Sequence, residues 1–314
     1  MSHPTPSAVS RFISAPDGLK LHVRDHGPLF GEALPVVCLP GLSRTADDFE
    51  ALAFALAQGA AGKPRRVLCP DYRGRGLSDW DPDWKNYDAK VESADILAIL
   101  DASGVEKAVL VGTSRGGINT MAIAAMRPAV LAGAVLNDIG PVLEAKGLAR
   151  IRSYIGKLPP PASWADAAGL LKHISDTHFT SLSDADWDRF ARLTFKEDNG
   201  RLVGKYDPAL MKTLAGLDLE APLPTLWPQF EGLGHVPALV LRGGNSDLLS
   251  QATAEEMTRR HPDSPCSSSK VRATRRCCST MPRSRGSPNL SRRPRRCRAR
   301  RWRRTRCDNA NHPN

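Results

Sequence analysis

Ala108-Val109-Leu110-Val111-Gly112-Thr113-Ser114-Arg115-Gly116-Gly117 is the stretch whose reading decides the fold. Its four leading apolar residues read as a buried parallel strand, and the run Ile118 to Met126 that follows reads as a helix. Between them, G-T-S-R-G has the form of a nucleophile elbow, in which a strand turns sharply into a helix and lifts a serine hydroxyl above the sheet edge. Gly112 and Gly116 flank the bend, where a Cβ would clash with the turn. Ser114 is therefore the candidate nucleophile.

The neighbouring segments repeat the strand and helix rhythm. Upstream, Val91 to Leu100 reads as an amphipathic helix, Arg66 to Pro70 as a short strand, and Pro35 to Leu39 as a buried strand ending in the loop Pro40-Gly41-Leu42. The acidic first turn of Asp47-Asp48-Phe49-Glu50 opens another helix. At the N-terminal end, Arg11 to Ala15 and Leu19 to Arg24 flank Asp17-Gly18 as a β-hairpin, with His22 and His26 expected at its surface. Downstream, Ala132 to Pro141 is a strand whose last polar residues, Asn137 and Asp138, fall where ligands bind in open α/β sheets. An Asx-held turn at the same place is equally compatible.

From about 142 to 230 the alternation gives way to helix periodicity over Leu143–Leu158, Ser163–His173 and Asp184–Lys196, with no strand expected. Trp164, Trp187, Phe190, Phe195, Trp227 and Phe230 supply either pocket wall or the core of this insertion. Val236 to Leu241 then returns to the sheet, followed by Gly243-Gly244-Asn245-Ser246-Asp247 and a helix from Ala252 to Arg260.

In this order and spacing, the P-G-L loop, Asp71-Tyr72-Arg73-Gly74-Arg75-Gly76-Leu77-Ser78-Asp79 and G-T-S-R-G-G resemble the α/β-hydrolase fold family. Within it, the chain is similar to the bacterial branch of esterases, enol-lactonases and meta-cleavage-product hydrolases. The resemblance covers roughly 11–262. It implies a doubly wound, mostly parallel sheet with a helical cap: core over 1–141, cap over 142–230, core again over 231–263. It further implies Ser114 as nucleophile, Asp247 as orienting carboxylate, and the backbone N–H groups of Leu42 and Arg115 as the oxyanion hole. Gly41, Asn137, Asp138 and Trp164 are candidate pocket residues. Neither a metal nor a cofactor is implied. The expected partner is a small-molecule substrate, not a membrane, and the polar stretch Met1 to Ser10 together with the absence of any run of about 18 apolar residues leads us to expect a cytoplasmic protein. Arg44, Arg73, Arg75 and Arg115 near the mouth fit either an acidic substrate or structural hydrogen bonding.

The family's histidine should follow one more strand, in a G-x-G-H type loop. Beyond Asp247 only His261 and His312 remain, neither in such a loop. The composition also breaks there. Residues 264–314 carry 16 of the chain's 44 Lys+Arg and one of its 33 Asp+Glu, leaving 28 basic and 32 acidic groups in the rest. The formal charge of +11 is thus a property of the tail. Five of the seven cysteines lie in it, without metal-site spacing, whereas Cys38 and Cys69 sit in apolar strands. Read in the frame that starts at each codon's third base, Lys270 to Pro282 permits G-x-G-H-A-P-L-L-L-D-D-A. We therefore read 264–314 as a frame-shifted, disordered segment and expect the chain as written to be nearly inactive. A basic nucleic-acid-binding arm is the competing reading, but Trp302 stands alone where aromatic interleaving would be needed.

Overall fold

The computed structural model describes residues 8–157 and 159–261, together with the backbone of 266–267. In chain order the strands are β1 (Val9–Ser14), β2 (Lys20–His26), β3 (Val36–Leu39), β4 (Val67–Pro70), β5 (Ala108–Thr113), β6 (Leu131–Asn137), β7 (Phe195–Asp198), β8 (Arg201–Gly204), β9 (Ala238–Leu241) and β10 (Cys266–Ser267). The helices are α1 (Glu50–Ala57), α2 (Ala89–Ala102), α3 (Arg115–Met126), α4 (Ala145–Tyr154), α5 (Trp164–Ser175), α6 (Asp184–Thr194), α7 (Lys212–Ala215), α8 (Trp227–Glu231) and α9 (Gln251–Arg260).

Eight strands form one sheet in the order β1-β2-β4-β3-β5-β6-β9-β10. From β4 to β10 every pairing is parallel, while β1–β2 and β2–β4 are antiparallel. Every residue of β3 and β4 is buried, as continuous apolar runs require when helices cover both faces of a parallel sheet. The period of two divides them between the faces. Val37, Leu39, Leu68 and Leu110 join the large core against α2, α3 and α9. Val36, Cys38, Val67 and Cys69 join a smaller one with Ala53 of α1 and Phe49 just before it. Burying such a Val or Leu side chain contributes about 1.5–3 kcal/mol, so these short strands are held by their layers rather than by their length.

The expected hairpin is present, with Val9–Ser14 facing Lys20–Asp25. His22 and His26, however, are buried, contrary to expectation. The reason is that β2 is an interior strand with β4 on its other side. There His22 Nδ1 lies 2.7 Å from the Asp71 carboxylate and Nε2 3.0 Å from Ser10 Oγ.

Between β6 and β9 lies the insertion, mostly helical as expected. Trp187 and Leu202 are buried in its own cluster with Ala167, Leu171 and Ala191. The sequence reading missed the hairpin β7–β8, in which Phe195 faces Gly204 and Asp198 faces Arg201. Asn199 and Gly200 both have positive φ (49° and 74°), so an Asn-Gly turn ends the helix-like run at Thr194. Phe230 and Trp227, by contrast, pack into the main core. No helix among the described residues is long and apolar enough to cross a membrane.

Candidate active site

β5 lies at the centre of the sheet, Val109 facing Val36 on one side and Gly133 on the other. At its end Ser114 takes φ 51°, ψ −113°, a region that ordinary side chains avoid. The surroundings enforce this. A Cβ on Gly116 would run into the Leu39 carbonyl, one on Gly112 into the backbone of Gly116, and one on Gly117 into the Ile139 side chain. The strand, the helix and their neighbours therefore approach closely only where these three residues are glycine. The Ser114 N–H donates to the Asn137 carbonyl (3.1 Å), and its own carbonyl accepts from Gly117 N–H (2.9 Å).

Ser114 lines a cavity of about 330 Å³ with Gly41, Leu42, Thr113, Asn137 and Asp138. The position of a Cβ on Gly41 lies 3.9 Å from Ser114 Cβ, which places the loop after β3 directly against the serine. The backbone N–H groups of Leu42 and Arg115 have no acceptor among the described residues. The cavity's apolar wall includes Phe49, Ile151, Ile155, Phe179, Phe190 and Leu248. Trp164 is not part of it, lying instead against the cap cluster with the Arg192 guanidinium 4.6 Å over its ring.

Asp138 ends β6 with φ 54°. Its Oδ1 accepts from Gly243 N–H (2.9 Å), so it ties β6 to the loop that follows β9 instead of closing its own turn. Burial pushes its carboxyl above the ordinary range, against the opposing pull of that amide and Ser246.

Asp247 does not cap α9, a role taken by Ser250. Its carboxylate is gripped by Arg150 of α4, with Nε at 2.6 Å and Nη2 at 2.9 Å, and His178 Nε2 lies 3.4 Å away. The Arg150 hydrogen bonds hold this carboxyl below its usual range. The helix can come this close because Gly147 has no side chain: a Cβ there would lie 2.6 Å from the Asp247 carbonyl oxygen. Arg150 is one turn further on and shares that face. Arg150 and His178 both line the Ser114 cavity, and the sequence reading missed both. A pair 97 residues apart leaves no local pattern to find.

The four arginines near the mouth are all engaged in the protein. Arg44 forks onto Asp48, and Arg73 binds Asp95, Asp81 and Asp17. Arg75 and Arg115 share Glu92, each at 2.8 Å. Their acidic-substrate reading loses its support, since each guanidinium already has a carboxylate.

The histidines are dispersed. His261 is buried at the end of α9, with Nε2 3.1 Å from the Leu233 carbonyl, and His235 is bound to the carbonyls of Gly232 and Pro128. Among the described residues, only His178 lines the cavity that holds Ser114. The expected histidine position and the basic tail fall outside the described residues, apart from the backbone of Cys266–Ser267, which pairs in parallel with Val240–Leu241.

With a central parallel sheet, a sharp strand-to-helix bend and a cavity lined by the serine at that bend, the chain belongs to the alpha/beta hydrolase family, whose sequence pattern matches residues 36–300. It is 32% identical to the 3-hydroxybutyrate-oligomer hydrolase of Cupriavidus necator over 72% of this chain and 77% of that one. It is 30% identical to the sn-1-specific diacylglycerol lipase of Mus musculus over 72% of this chain and 70% of the relative. An alpha/beta hydrolase from Novosphingobium aromaticivorans superimposes with a TM-score of 0.73 at 36% identity, over 83% of this chain and 90% of that one. Family and relatives alike are hydrolases, so the chain is by descent an enzyme of hydrolytic type.

Proposed function

We propose that the site is that of a serine esterase acting on a small carboxylic ester. Ser114 Oγ attacks the carbonyl carbon, a histidine takes the proton and returns it to the departing alcohol, and water then releases the acyl group. The amides of Leu42 and Arg115 receive the charge that develops on the carbonyl oxygen. Asp247 orients the histidine. The observation that carries this reading is the strained Ser114 beside two amides without acceptors. An ester is favoured over a lactone or a C–C bond because the two named relatives act on hydroxy-acid oligomers and diacylglycerols, both joined by ester bonds.

The chain as written offers no histidine in a G-x-G-H type loop after β9, and we attribute this to the frame shift beginning near residue 264. Losing one triad member leaves a rate orders of magnitude below the intact enzyme, though roughly 10³–10⁴-fold above water. Expressing the chain beside a version with the alternative frame restored tests both ideas on p-nitrophenyl butyrate. The restored protein is expected to turn over the ester and to lose that activity in Ser114→Ala. If it hydrolyses no ester at all, the enzyme reading fails.

A second reading, a capped binding protein without chemistry, is favoured by one observation: Arg150 occupies both carboxylate oxygens of Asp247. Labelling by a fluorophosphonate separates the two, because only an activated Ser114 reacts.

A further inference from the structure

Beneath the elbow lies a buried carboxylate flanked by two guanidinium groups. Glu92 of α2 and Arg75 are fully buried, whereas the Arg115 side chain is partly exposed. Glu92 Oε2 accepts from Arg115 Nε (2.8 Å) and Asn119 Nδ2 (3.2 Å). Its Oε1 lies 2.8 Å from Arg75 Nη2, an ion pair off the line of an aligned hydrogen bond. Arg75 spends its remaining donors on backbone, Nε to the Leu42 carbonyl (2.8 Å) and Nη1 to the Arg73 carbonyl (2.6 Å). Arg115 Nη2 reaches the Tyr87 carbonyl (3.2 Å). Tyr72 and Tyr87 present their rings to the Arg75 guanidinium, and the Tyr72 hydroxyl donates to the Pro40 carbonyl (3.1 Å).

We propose that Glu92 is a positioning residue that joins the two amides of the oxyanion site. One of its oxygens fixes the residue after the nucleophile, and the other fixes, through Arg75, the loop that carries Leu42. The inference rests on the serine-esterase reading for the role of those amides, whereas the coupling itself is a statement about geometry.

Stability alone is a poor account of this cluster. Buried ion pairs are frequently replaceable by apolar groups at no loss, because desolvation of both charges offsets their attraction. Two arginines sharing one carboxylate also leave a net positive charge beneath the elbow. What the cluster does supply, beyond the direct pairing of β3 with β5, is a rigid side-chain connection from the residue after Ser114 to the loop that follows β3. An oxyanion hole needs both donors at fixed positions before charge develops, since reorganising dipoles during the reaction forfeits most of their value. Each end of the path, residue Leu42 and residue Arg115, carries one of the amides without an acceptor among the described residues, the Leu42 carbonyl held by Arg75 lying in the peptide unit next to that of its own N–H.

The test substitutes one end and reads the other. In ¹⁵N-leucine-labelled full-length chain, Arg115→Met and Glu92→Gln are each expected to displace the Leu42 amide resonance by more than its linewidth. Saturation kinetics with a fluorophosphonate on the chain with the alternative frame restored supply a second readout. The maximal rate of Ser114 phosphonylation should fall about tenfold or more, with the half-saturating concentration within about twofold of the parent. A cluster that only holds the fold together would lower thermal stability without this split. If Glu92→Gln does not fold, Arg115→Met decides alone, because its side chain is partly exposed. A Leu42 resonance that stays in place in the folded variant overturns the coupling. Failure of the frame-restored chain to label at all would count against an activated serine, while the amide shifts would still decide the connection.

Discussion

The two halves of the site are built differently. The elbow after β5 is fixed by the core: Gly112 and Gly116 let backbone meet backbone, where main-chain atoms cannot give way, and Gly117 makes room for the Ile139 side chain. The acid loop after β9 is looser. Gly244 has nothing within 4 Å of where a Cβ would stand, and Asp247 is held by a side chain from the cap instead of by the sheet. Ser114 is thus part of the folding core, while the placement of the Asp247 carboxylate depends on how the insertion sits over it.

The largest effect that could break this contrast is at Gly116. Gly116→Ala forces a methyl into the Leu39 carbonyl, and backbone cannot rotate away as a side chain can. Chemical denaturation should show a loss of at least about 3 kcal/mol, or no folded protein. A mild effect would mean that the elbow is less tightly determined than its geometry indicates.

Next in size is Ser114→Gly. Holding a non-glycine residue in such a backbone region costs about 1–3 kcal/mol, and glycine returns roughly 0.5–1 kcal/mol of that as chain entropy. A net stabilisation of about 1 kcal/mol in urea is expected, together with complete loss of phosphonylation in the frame-restored chain. Ser114→Ala should abolish labelling without the gain.

A smaller and pH-dependent effect is expected at the acid loop. Arg150 lowers the Asp247 carboxyl below its unfolded value of about 4. Its stabilisation is therefore fully present above that value and is lost as pH falls through the folded one. Because the pair is partly exposed, Arg150→Met should cost under about 1 kcal/mol at pH 7, and the difference from the parent should narrow as pH falls below about 4 in parallel urea titrations. A difference that widens in acid would assign the wrong sign to the pair. Smallest of all, Gly244→Ala should change stability by no more than about 0.5 kcal/mol, the counterpart of the collapse expected at Gly116.

Features that depend on neighbours in the chain could be read directly. The elbow, the Asp17-Gly18 hairpin and the strand at Val236 to Leu241 each follow from residues within a few positions of one another. The Asn199-Gly200 turn carried the same kind of signal and was lost because the preceding helical periodicity runs into β7. His22 and His26 were misplaced for another reason: whether a strand is at an edge depends on which strand comes to lie beside it, and β4 begins about forty residues later.

The amino-acid order alone settled that a parallel sheet carries a serine at position 114 on a glycine-lined bend, because steric limits on φ and ψ act between adjacent residues. Only the folded arrangement decided which charges meet. The partnership of Arg150 with Asp247 and the sharing of Glu92 by Arg75 and Arg115 join elements far apart in sequence. Such contacts become fixed only when layers pack, since a buried charge takes whichever opposite charge the packing brings within reach.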